Sequence, residues 1–257
     1  MATSIKQLAA CIGLEGDLSI VRDFFGYAFR GHRRASLLTQ ARLLQGPHLH
    51  LNLIRVGIEN FTEDDEREIE RAVEQMREIY ATVQIGVGRL LRFRITESDA
   101  QDSWIVGSML LGDWAARAVT NNWSAANDGL DVFFVLSWSS DRPGKVGQAP
   151  VEGSCDKDGG VCDNSTGCVI SLVGEKTGVV LAHEAGHYLG LDHINDLDGD
   201  DIDLNDNGKT DDSDLALFPK SVVDNLMFPS AKNKETGILE PWQGLIMSTH
   251  CFMRAPC

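Results

Sequence analysis

The chain has 257 residues, 43% hydrophobic and 24% charged, the proportions of a globular protein able to bury a full core in one or two domains. A net charge of −15 argues against nucleic acid as a partner, because phosphate binding needs a basic footprint. No apolar run approaches the ~20 residues of a membrane span, and a monomer is expected.

Residues 1–46 read as loosely amphipathic helix, in LSIVRDFFGYAF and RRASLLTQARLL, and Gly46-Pro47 marks a boundary. Residues 1–17 lack the basic-then-apolar order of a secretory signal, so the expectation is a secreted protein whose signal has been removed. HLHLNLIRVGI at 48–58 alternates as a strand, with Leu49, Leu51 and Leu53 on one face. His48 and His50 share the other face and read as surface residues. Residues 62–83 form a helix: Thr62 is the N-cap, acidic residues fill the first turn, and Ile69, Val73, Met76 and Tyr80 recur at helical spacing. A strand follows at 85–95, a shorter helix around 108–120, and a buried strand at 130–138. The Gly-rich stretch 144–167 reads as loop, 168–173 as strand, a buried helix begins near Thr177, and 239–253 is a last helix.

The most informative stretch is His183-Glu184-Ala185-Gly186-His187-Tyr188-Leu189-Gly190-Leu191-Asp192-His193, which reads HExxHxxGxxH. Two histidines four apart project from one face of a helix and can bind one zinc ion, with Glu184 beside them as general base. Gly190 lets the chain leave the helix in a conformation other residues resist, which brings His193 round as a third ligand. Three protein ligands leave a fourth position open, the arrangement of a catalytic rather than a structural site.

This pattern, followed by Asn225-Leu226-Met227-Phe228-Pro229, resembles the metzincin clan of zinc endopeptidases, whose hallmark is the extended motif plus a methionine turn. The turn is spelled most like that of the matrixins, which carry Tyr where this chain has Phe228. Pro229 stands where astacins and serralysins have a tyrosine that can reach zinc. Ile194, after the third histidine, departs from the usual residue of every major family in the clan. The resemblance covers roughly residues 47–257 and implies an α/β (α+β) catalytic domain, with a twisted mixed sheet, a zinc-binding active-site helix and a C-terminal helix. It also implies a polypeptide substrate, Met227 as structural support of the site, and Pro229 and Ser230 lining a specificity pocket. Residues 1–46 are then a structural extension, or alternatively a prosegment that blocks the zinc. Cys11 lacks the matrixin switch sequence around it.

Between His193 and Met227 the insertion 195–218 holds DLNDNGKTDDSD at 203–214, which has calcium-loop spacing. Asp203, Asn205, Asn207, Asp211 and Asp214 supply side-chain oxygens at positions 1, 3, 5, 9 and 12, and Lys209 a backbone carbonyl at position 7. Aspartate rather than glutamate at position 12 resembles dockerin-type loops. Asp196, Asp198 and Asp200 could supply a second calcium site. Six cysteines form no CxxC pair, which favours disulfides in an oxidising compartment. Cys155–Cys162 and Cys251–Cys257 are the local pairings expected, with Cys11 and Cys168 left over. The expectation is a secreted zinc- and calcium-dependent endopeptidase. The alternatives are a calcium-dependent binding module on an inactive scaffold and a zinc hydrolase acting on a non-peptide amide.

Overall fold

A computed structural model describes residues 42–100, 105–139, 145–157, 166–194, 212–230 and 237–255. The chain forms a mixed α/β fold around a twisted five-stranded sheet. Strand β1 (His48–Val56) lies between β2 (Gly86–Ile95) and β5 (Leu130–Val135), and β8 (Gly167–Ser171) follows β5. These four strands are parallel, and the short β7 (Gly147–Gln148) pairs antiparallel with β8 at the edge. A smaller sheet holds β3 (Ile105–Val106), β4 (Met109–Leu111) and β6 (Ser137–Ser139).

Helix α1 (Glu63–Ala81) begins at Thr62, as its sequence predicts. The Thr62 hydroxyl accepts from the Asp65 amide, and the Asp65 carboxylate accepts from the Thr62 amide, so two otherwise orphaned donors are satisfied. Helix α2 (Asp113–Asn122) starts later than expected, because the β3–β4 hairpin occupies 105–111 and Gly112, at φ 86°, turns the chain into the helix. Helix α3 (Thr177–Tyr188) is buried along its whole length between the sheet and α1. A Cβ at Gly178 would lie 2.8 Å from the Ala72 carbonyl of α1, so only glycine permits that approach. Two single-turn helices, α4 (Asp212–Leu215) and α5 (Lys220–Val223), precede α6 (Pro241–Ser248). Among the described residues no helix is long and apolar enough to cross a membrane.

Leu49, Leu51 and Leu53 enter one core with α1 and α3, while Ile54 and Val56 enter a second core with α2. Both faces of β1 are therefore covered, as parallel sheets require. This corrects the surface reading of His48 and His50, which are both buried. Covering the polar end of that face, Leu43 and Leu44 are also buried. The His48 Nδ1–H donates to the Gly46 carbonyl at 3.0 Å, and His50 Nδ1 accepts from the Arg89 amide at 3.1 Å. Burial, reinforced by the Arg89 guanidinium, lowers the His50 pKa to about 4.

The same face carries a buried ion pair. Lys157 Nζ lies 2.8 Å from Asp131 Oδ1 and 3.1 Å from the Ala125 carbonyl, and it also contacts the Gly129 carbonyl. Asp131 accepts further hydrogen bonds from Asn52, Ser124 and the Ala125 amide. Burial lowers the Lys157 pKa while Asp131 raises it, with a net lowering. Cys155 is bonded to Cys251, 96 residues away, which overturns both local pairings expected of these residues. Tertiary folding, to which sequence spacing is blind, brings the two Cα atoms to 5.9 Å. Cys168 is a buried free thiol in the first core. Cys11, Cys162, Cys257 and all but the last residues of the 1–46 extension lie outside the described residues.

Candidate metal centre

Helix α3 ends in a Schellman motif. The Gly190 amide donates to the His187 carbonyl at 2.9 Å, and the Leu191 amide to the Gly186 carbonyl at 3.0 Å. Gly190 sits at φ 98°, where a side chain would be strained. This sharp exit returns the chain toward the helix, so His193 comes back to the two helical histidines. His187 Nε2 lies 3.0 Å from His183 Nε2 and 3.2 Å from His193 Nε2. All three residues place a ligand atom within 4.8 Å of the others.

The two helical imidazoles are each held in one tautomer. His183 Nδ1–H donates to the Leu226 carbonyl at 2.7 Å, and His187 Nδ1–H to the Leu191 carbonyl at 2.7 Å. In the neutral rings both Nε2 atoms therefore present lone pairs to each other, an arrangement that repels unless a cation stands between them. Zinc–nitrogen bonds of about 2.0–2.1 Å at tetrahedral angles would separate ligand nitrogens by roughly 3.3 Å, close to what is seen. The donor set fits zinc. Burial, then the neighbouring His193, lowers the His187 pKa to about 4, so without metal this ring is neutral at neutral pH.

Glu184 is buried beside the cage, and burial pushes its pKa up to about 8 despite the lowering effects of Lys145 and a hydrogen bond from the Ala149 amide. Its carboxylate lies under the edge strand: a Cβ on Gly147 would meet Glu184 Oε1 at 2.5 Å and Cγ at 2.6 Å. Only a glycine on β7 leaves room for the carboxylate. The sequence carries no sign of this, because Gly147 lies in a stretch that reads as loop.

Met227 is fully buried in the turn Asn225–Phe228 beneath α3. Its Sδ would lie 2.9 Å from a Cβ at Gly186, so sulfur packs directly on the helix backbone between the two histidines. Asn225 Oδ1 accepts from the Met227 amide at 2.9 Å, and the Asn225 and Gln243 amide groups exchange hydrogen bonds of 3.0 and 3.2 Å. The turn also presents the Leu226 carbonyl to His183, and the Met227 carbonyl accepts from the Ile194 amide, next to His193, at 3.0 Å. Two ligands are thus braced by one turn. No motif in the sequence marks Gln243, although the short polar side chain of Asn225 shortly before Met227 is a turn signal.

The end of α3 has a second brace. The Glu152 amide donates to the His187 carbonyl at 3.0 Å and the Gly153 amide to the Tyr188 carbonyl at 2.8 Å. Tyr188 Oη returns a hydrogen bond of 2.7 Å to the Ser154 carbonyl. Of the other residues singled out in the sequence, Ser230 and Asp214 are buried and Pro229 is half-buried. Asp203, Asn205, Asn207, Lys209 and Asp211 lie outside the described residues, as do Asp196, Asp198 and Asp200.

No family model matches the chain, and no curated protein does. Among solved structures it is similar to metalloproteinase-II from Bacteroides fragilis, at 13% identity and a TM-score of 0.48, over 81% of this chain and 54% of that one. The chain spans about half the length of that structure.

Proposed function

We propose that the protein is a zinc-dependent endopeptidase of metzincin type, acting on extracellular polypeptides. The observation that carries this reading is the convergence of three imidazole Nε2 atoms, two of them with lone pairs fixed by Nδ1–H bonds to carbonyls, beside a buried carboxyl group. When bound, zinc supplies a water of lowered pKa and a Lewis acid for the scissile carbonyl. His183, His187 and His193 hold it, each helical ring fixed by a backbone carbonyl. Glu184 takes the proton of the attacking water and delivers it to the leaving amine. A carboxyl group raised to about 8 by burial can do both near neutral pH, and a nearby dication draws that value down. β7 is an edge strand, so an extended peptide can pair with it and lie across Glu184. Pro229 and Ser230 follow the turn and are assigned to the pocket for a substrate side chain. Met227 supports the site and performs no chemistry.

Calcium binding by Asp203, Asn205, Asn207, the Lys209 carbonyl, Asp211 and Asp214 is the second part of the reading. Its support is the loop spacing, together with the burial of Asp214 at the loop's last position. Removing calcium with a chelator too weak for the three-histidine centre is expected to lower the melting temperature. An unchanged melting temperature and activity would remove calcium from the account.

The peptidase reading is tested by mass-spectrometric analysis of a peptide library digested by the zinc-loaded protein. New termini at backbone amides, absent with Glu184→Ala, are expected. Release of ammonia or a side-chain fragment with the backbone intact would place the activity on a non-peptide amide.

A further inference from the structure

We propose that Cys155, Cys251 and His250 form a second zinc site, closed while the disulfide is intact and opened by its reduction. The two sulfurs and a ring nitrogen of His250 lie within 4.8 Å of one another. His250 Nε2–H donates to the Gly153 carbonyl at 3.0 Å, which puts the ring's one lone pair on Nδ1; there it accepts from the Phe252 amide at a long 3.3 Å, a hydrogen bond that the metal replaces. That Nδ1 is 3.7 Å from Cys251 Sγ. Bonds of about 2.3 Å to sulfur and 2.0–2.1 Å to nitrogen at a tetrahedral angle separate the two ligand atoms by roughly 3.6 Å. A carbonyl fixes this ring's tautomer, just as carbonyls fix those of His183 and His187. The ring is further held by Phe252, stacked at 5.8 Å, and by Tyr188 at 5.7 Å. Both cysteines are exposed, so their thiols can turn apart about the side-chain bonds and leave a fourth position to solvent.

The chemistry balances. An external dithiol gives two electrons and two protons to the Cys155–Cys251 bond and becomes a disulfide itself. Zinc then displaces the two thiol protons as two sulfur–metal bonds form, with no change in its own oxidation state. The consequence lies at α3. Cys155 follows the Glu152 and Gly153 amides that hold the carbonyls of His187 and Tyr188. The disulfide ties that segment to the C-terminal segment in an oxidising compartment, and a zinc bis-thiolate ties it in a reducing one. This inference is independent of the peptidase reading.

The test uses cobalt as a spectroscopic stand-in for zinc. The protein is reduced with a dithiol, freed of reductant under anaerobic conditions and titrated with Co²⁺. Reduced parent protein is expected to develop thiolate-to-cobalt charge-transfer absorption, while oxidised parent and reduced Cys251→Ser do not. The three-histidine centre has no sulfur and cannot give this band. A triple Cys11→Ser, Cys162→Ser, Cys257→Ser variant is expected to keep it, and folded His250→Ala to need at least about tenfold more cobalt. Absence of the band from reduced parent, its survival in Cys251→Ser, or its loss in the triple variant would overturn the proposal.

Discussion

Gly186→Ala isolates the contact between the metal helix and the methionine beneath it. A glycine inside a helix normally costs about 0.8–1.0 kcal/mol relative to alanine, so in an unconstrained helix this change stabilises. Here the added methyl would sit 2.9 Å from Met227 Sδ and 3.5 Å from Leu191 Cδ1, where ordinary contacts lie at about 3.5–4.0 Å. Met227 is fully buried, so displacing its sulfur disturbs packed neighbours and overpacking costs about 1–3 kcal/mol. The net expectation is a loss of about 0–2 kcal/mol in urea unfolding of the metal-free protein. Moving Met227 also shifts the Leu226 carbonyl that orients His183, so zinc affinity in competition with a chelator should fall about tenfold. Met227→Ala alone should cost about 2–5 kcal/mol for the cavity it leaves. The double variant should be better than the sum of the two by at least about 1 kcal/mol, since the new methyl fills part of that cavity. A Gly186→Ala protein stabilised by about 1 kcal/mol, with effects that simply add, would refute direct packing of Met227 on the helix.

Three further outcomes follow from geometry elsewhere. Gly147→Ala forces the Glu184 carboxylate aside and should lower kcat about 10²-fold with zinc content unchanged; a fall in zinc content instead would mean that β7 supports the cage rather than the base. Lys157→Met strands Asp131 in the core and should cost about 3 kcal/mol in urea unfolding, and a loss below about 1 kcal/mol would show that the hydrogen bonds from Asn52, Ser124 and Ala125 suffice. His50 has a folded pKa of about 4 against an unfolded 6.5, so the unfolded chain takes up its proton first as pH falls. Its contribution is present in full above pH 6.5 and is lost toward pH 4, under the charges of Arg89, Arg254, Asp128 and His48. The melting temperature should therefore fall more steeply with acidification in the parent than in His50→Gln, and parallel curves would contradict this.

Much of the site was legible in the sequence because its determinants are local. The i, i+4 spacing of His183 and His187 and the glycine at 190 fix a helix, a face and an exit within eleven residues, and helix α1 announced its own start through Thr62 and the acidic first turn. What escaped depends on which strands become neighbours. His48 and His50 look like the wet side of an alternating strand, and only the chain that packs over that face, with Leu43 and Leu44, buries them. Cys155 and Cys251 find each other only after 96 residues of chain have folded between them. Gly147 becomes significant only when β7 pairs with β8 and passes over Glu184. The braces on the histidines are backbone carbonyls, of Leu191 and Leu226, which carry no side-chain signature at all.

The most direct test of a catalytic zinc centre compares zinc content and peptide turnover in two variants. Glu184→Gln keeps the size of the side chain and all three histidines, so it should bind one zinc at that centre with parental affinity and lose about 10²–10⁴ in kcat. His187→Ala should lose both zinc and turnover, because its nitrogen stands within 3.2 Å of each of the other two. A Glu184→Gln protein that cleaves peptides at the parental rate, or a His187→Ala protein that does so without zinc, would contradict the account.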